Sequence, residues 1–89
     1  MTSNLEQICI YLAGQTDAQH IAGFLQGLFT PAEIADIESR WEIIKRLNKG
    51  HTQRAIASEL HLGLCKITRG SKELKKAGSI LKSAIEKFE

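Results

Sequence analysis

The stretch Thr52-Gln53-Arg54-Ala55-Ile56-Ala57-Ser58-Glu59-Leu60-His61-Leu62-Gly63-Leu64-Cys65-Lys66-Ile67-Thr68-Arg69-Gly70-Ser71-Lys72 decides the architecture of this chain. Thr52 is an N-cap type, and Ala55, Ile56 and Leu60 behind it face inward at helical spacing; Leu64, Ile67 and Leu74 repeat the pattern after a break. The break is His61-Leu62-Gly63. A tight turn between two helices needs one residue at positive φ, which histidine tolerates better than most side chains, and Gly63 is then free to cap the next helix. Ile56, Ala57, Leu60, Leu62 and Ile67 supply a small residue at a helix crossing and larger ones around it. The spacing therefore predicts a helix-turn-helix over about residues 52–76.

Working outward, each flank reads as helix. Leu5, Ile8, Cys9 and Leu12 form one apolar stripe ending near Gly14; Asp17 caps a second helix carrying Ile21, Phe24, Leu25 and Leu28. Thr30-Pro31-Ala32-Glu33 is a strong start signal, with Thr as N-cap, Pro where its missing N–H costs nothing, and Glu at the third helical position. The longest helix follows, with Ile34, Ile37, Trp41, Ile44 and Leu47 as its stripe and Asn48-Lys49-Gly50 as its end. Gly78 closes the second helix of the pair, and Leu81, Ile85 and Phe88 mark a last amphipathic segment. The expectation is an all-α fold of six short helices forming a single domain over residues 1–89. Six striped helices leave little interior in 89 residues, so an intertwined homodimer is expected, with residues 3–49 and 79–89 as its dimerisation helices.

Charge adds a second signal. Residues 1–39 hold five acids and no Lys or Arg, whereas residues 40–89 hold all twelve bases against five acids, giving −5 and +7. Such asymmetry addresses a polyanion. With 43% hydrophobic and 25% charged residues, no repeat and no low-complexity tract, the chain reads as globular. No apolar run approaches a membrane span and no basic leader precedes the first helix, so a cytoplasmic location is expected. Cys9 and Cys65 lack metal-ligand spacing and read as reduced thiols, and His20, His51 and His61 are scattered. No phosphate loop and no nucleophile–base set is present, so no catalytic residues, metal or cofactor are assigned.

Double-stranded DNA is the partner that a basic helix-turn-helix implies. Its second helix enters the major groove and the start of its first docks on phosphate. Gln53 and Arg54 suit phosphate; Lys66 suits a base edge or phosphate; Leu64 and Cys65 suit a thymine methyl; Thr68 suits a direct or water-mediated hydrogen bond; and Lys72 shares their outward face. Lys75, Lys76, Lys82 and Lys87 read as a solvated face, and Trp41 as core.

The run Ile67-Thr68-Arg69-Gly70-Ser71-x-x-Leu74-Lys75, with Gln53-Arg54 and Leu28-Phe29-Thr30-Pro31-x-Glu33 before it, resembles the Trp repressor family over residues 28–76. The resemblance implies an all-helical homodimer that binds L-tryptophan as co-repressor and then a palindromic operator. It implies that Arg40 and Arg69 sandwich the indole, that backbone carbonyls of Gly27 and Phe29, with Thr30 beside them, hold the ammonium, and that Gly70 lets ligand approach the helix. Glu73 stands where the family has a serine on the ammonium; it either pairs with Arg69 one turn earlier or strengthens ammonium binding. The hinge Lys49-Gly50-His51-Thr52-Gln53 looks one residue short, and the N-terminus lacks an extended polar arm, which implies fewer contacts outside the operator. Two alternatives stay open: a DNA-binding regulator of this fold with a different ligand or none, and a helical adaptor whose basic face binds an acidic protein.

Overall fold

A computed structural model describes residues 2–88. Among them are six helices: α1 (Asn4–Ala13), α2 (Ala18–Leu28), α3 (Pro31–Asn48), α4 (Gln53–Leu60), α5 (Leu64–Lys75) and α6 (Ile80–Glu86), with no strand. None is long and apolar enough to cross a membrane. The chain divides into two compact units, Met1–Ile34 and Ala35–Glu89, with α3 beginning in the first and running on into the second.

Capping chemistry sets the helix starts. Ser3 accepts from the Glu6 N–H at 3.1 Å, Asp17 from Gln19 at 3.1 Å, Thr52 from Ala55 at 3.1 Å and Ser79 from Lys82 at 3.2 Å. At α3 the capping box closes in both directions: the Glu33 N–H donates to Thr30 Oγ1 at 3.2 Å and the Thr30 N–H to Glu33 Oε1 at 2.9 Å. That helix ends on Gly50 at φ +92°, where the His51 N–H reaches the Arg46 carbonyl at 3.1 Å and the Gly50 N–H that of Leu47 at 3.0 Å. This is a Schellman turn, the reason a glycine is needed there.

In the first unit α1 and α2 bury no residue. Their contact is aromatic: Tyr11 stacks on Phe24 with ring centroids 4.9 Å apart, and its hydroxyl pairs with His20 Nε2 at 2.7 Å. Leu5, Ile10 and Leu28 stay exposed.

The second unit holds a closed core. Ile43, Ile56 and Ile67 are buried to 1% or less, and Leu47, Ala57, Leu60 and Leu62 pack against them. The turn between α4 and α5 takes the predicted form, with His61 left-handed at φ 55°, ψ 43° and Gly63 as the N-cap of α5. Two inward assignments are corrected. Leu64 is 49% exposed, on the outer face at the start of α5, and Ile37 is 46% exposed. α3 buries Ile43 as well as Ile44 of the expected stripe: Ile43 enters the α4–α5 core, and both lie against Gly70 of α5. On α6, Ile85 is buried, whereas Phe88, two residues past the end of the helix, is 72% exposed and meets Trp41 edge-on, centroids 6.0 Å apart.

Candidate nucleic-acid interface and ligand cavity

α5 has two faces of interest. Its outer face carries Leu64, Cys65, Lys66 and Lys72, all exposed. Its N-cap is glycine with no side-chain hydrogen bond, so the first amides of the helix are left to whatever lies in front of them. Arg54 is exposed at the second position of α4. Gln53 and Thr68 are half-buried and joined, the Thr68 hydroxyl donating to Gln53 Oε1 at 3.1 Å. This bond ties the start of α4 to the middle of α5, a bracing role that the sequence reading had not assigned them.

Lys66 is also engaged. Its ammonium lies 2.6 Å from Asp36 Oδ1, and Asp36 Oδ2 takes Arg40 Nε at 3.1 Å. The Lys66 hydrogen bond, with the charges of Arg40 and Lys66, holds the Asp36 carboxyl below its ordinary range despite partial desolvation. Asp36 was not among the expected site residues. Its spacing to Arg40 fits a helical i, i+4 pair, but nothing local signals a partner thirty residues on.

Behind α5, between it and α3, lies an open cavity of about 960 Å³, at the upper end of the usual small-molecule range. Arg40 and Trp41 line it from α3, Arg69, Gly70 and Glu73 from α5, and Leu81 from α6. Exposed Cys65 and Lys66 line it as well, and so does Glu38 of α3. Four of the seven expected ligand residues, Arg40, Arg69, Gly70 and Glu73, thus share one cavity. Gly27, Phe29 and Thr30 belong to the first unit at the end of α2, where the Phe29 N–H caps onto the Leu25 carbonyl at 2.8 Å and Thr30 serves the capping box.

Gly70 has a structural reason to be glycine. It is buried, and a Cβ there would meet Ile44 Cδ1 at 3.1 Å and Ile43 Cγ2 at 3.4 Å, so its absence sets how closely α5 approaches α3. Glu73 pairs with Lys76 at 2.9 Å rather than with Arg69, which makes no ion pair among the described residues. The Lys76 hydrogen bond and charge, with a smaller contribution from Arg69, hold the Glu73 carboxyl below its ordinary range. The cavity therefore presents an unclaimed guanidinium and an ionised carboxylate one helical turn apart, above an apolar floor.

On the far side, Arg46 bridges Glu42 of its own helix, at 2.9 Å, and Glu59 of α4, fastening the helix-turn-helix to α3.

No solved structure matches the chain significantly. A Trp operon repressor homolog of Vibrio parahaemolyticus is 38% identical over 71 residues, 79% of this chain and 69% of the relative. One from Chlamydia trachomatis serovar L2 is 39% identical over 69 residues, 72% and 73% of the two chains. The family model described as Trp repressor protein matches residues 3–89. With its six helices, its helix-turn-helix and that match over nearly the whole length, the chain belongs to the Trp repressor family of DNA-binding transcription regulators.

Proposed function

We propose that this chain is a homodimeric repressor whose α5 helices enter successive major grooves of a palindromic operator, and that L-tryptophan is its co-repressor. The carrying observation is that α5 forms both the outward face with Leu64, Cys65, Lys66 and Lys72 and one wall of the cavity lined by Arg40 and Arg69. A ligand in that cavity presses on the reading helix directly. Occupancy then selects one setting of the two heads, about 34 Å apart, one turn of duplex DNA. To switch anything the ligand must favour that setting by about 1 kcal/mol or more.

The chemistry of the cavity suits a zwitterion with an aromatic ring. Guanidinium groups stack on an indole face, Arg69 is free to take a carboxylate, and Glu73 offers a counter-charge for an ammonium. Glu73 also supports a second reading, in which the cavity takes another small aromatic amine. Homodimerisation is supported by the apolar side chains left in water on one chain, among them Leu5 at 70%, Ile10 at 66% and Ile80 at 84% exposure.

Calorimetric titration with L-tryptophan tests the ligand. Heat is expected at one site per chain and is lost in Arg69→Ala; a wild-type protein that gives no heat would remove tryptophan and leave DNA binding standing. Duplex binding is expected to weaken with salt by a log–log slope of about −0.9 per phosphate contacted, which a protein adaptor would not show.

A further inference from the structure

The two cations most exposed to opposite fates, Arg40 at the cavity and Lys66 on the reading face, share one acceptor. Asp36 is the residue that joins them, through separate carboxylate oxygens at 3.1 and 2.6 Å. We propose that Asp36 is a latch on the reading helix: it holds the Lys66 ammonium against α3 and so competes with DNA phosphate for it. The inference rests on the DNA-binding reading of α5.

Three features make the latch workable. The Lys66 side chain is 41% exposed and that of Asp36 36%, so water and phosphate reach the pair and it can open without unfolding anything. The pair is charge-assisted and short, so it is occupied when no phosphate is near. Finally, Asp36 is not orphaned when Lys66 leaves, because Arg40 remains on its other oxygen. An exposed ion pair of this kind is weak, which suits a contact that must yield to a phosphate on every binding event. A carboxylate beside a groove-facing lysine also repels the duplex, so its loss acts in the same direction twice.

The test is a double-mutant cycle read by fluorescence anisotropy, using a random-sequence 30-base-pair duplex so that no operator need be known. Asp36→Asn is expected to tighten binding about three- to tenfold at 0.1 M salt and to steepen the salt slope by about 0.9, one added phosphate contact. In a Lys66→Ala background the same substitution is expected to gain less than about twofold. Asp36→Ala repeats the measurement without the amide, and thermal melts by circular dichroism confirm that each variant is folded. Equal gains in both backgrounds would reduce Asp36 to bulk charge and overturn the latch. So would an unchanged or weaker Asp36→Asn protein. If the wild type and both variants ignore the duplex at every salt concentration, the DNA-binding reading itself falls, and the latch with it.

Discussion

The two units spend their apolar residues in opposite ways. In Ala35–Glu89, Ile43, Ile56, Ile67 and Ile85 are buried to 1% or less, drawn from four different helices. In the first unit α1 and α2 bury nothing, although both carry clear stripes; they are held by caps and by Tyr11 against Phe24 and His20. Helices of ten or eleven residues are marginal in water without tertiary cover. The second unit thus carries its own core, while the N-terminal helices present a surface that stays costly until something covers it. A second copy of the chain is the partner proposed above.

The largest expected effect breaks the self-sufficient side. Ile67→Ala removes a fully buried side chain from the contact of α3, α4 and α5, and should cost about 2–4 kcal/mol, a large part of the stability of a domain this small. Chemical denaturation followed by circular dichroism would read this as a lower midpoint with an unchanged slope. A cost below about 1 kcal/mol would mean that the head does not carry its own core. The matching change on the other side is Ile10→Ala, at a position 66% exposed on one chain. If that face is the dimer interface, symmetry counts the loss twice, and sedimentation equilibrium should show dissociation strengthened about tenfold or more, with the secondary structure intact. An unchanged association constant would move the interface elsewhere.

How much of this was legible follows from how far each interaction reaches along the chain. The caps at Asp17, Thr30 and Thr52 and the left-handed turn at His61 were readable, because each depends on chemistry within four residues. The group Ile56, Ala57, Leu60, Leu62 and Ile67 was readable because two helical periods joined by a short turn have few ways to pack. Ile43 was missed, since the stripe along α3 passes through its neighbour Ile44 and helical spacing alone does not show that both are buried. The pairing of Gln53 with Thr68 and of Asp36 with Lys66 was beyond reach, because neither partner carries a local sign of the other. For the cavity, local pattern marked Arg40 and Arg69 only as charges; their assignment to one ligand came through family resemblance, and their convergence on one cavity through the fold.

The smallest expected effect sharpens the same contrast through acid. Asp36, Glu42 and Glu73 have carboxyl groups held below their ordinary range, by hydrogen bonds from Lys66, Arg46 and Lys76 respectively, and all three lie in the second unit. A carboxylate more acidic in the folded state than in the unfolded chain stabilises the fold above its unfolded value. That contribution is lost as pH falls through the folded value. The stability of the helix-turn-helix unit should therefore be level from pH 7 to about 5 and decline below about 4, as protonation releases α5 and α3 from these pairs. The decline is modest, because the three side chains are 33–38% exposed and solvent screens them. Glu42→Gln should flatten part of it, because Glu42 orients the arginine that fastens α4 to α3. Thermal melts of wild type and Glu42→Gln at pH 3, 4, 5 and 7, in low salt and in 1 M salt, would show parallel curves if the pairs were irrelevant. They should instead draw together as the pH falls, because protonation of Glu42 takes away the same charge that the substitution removes.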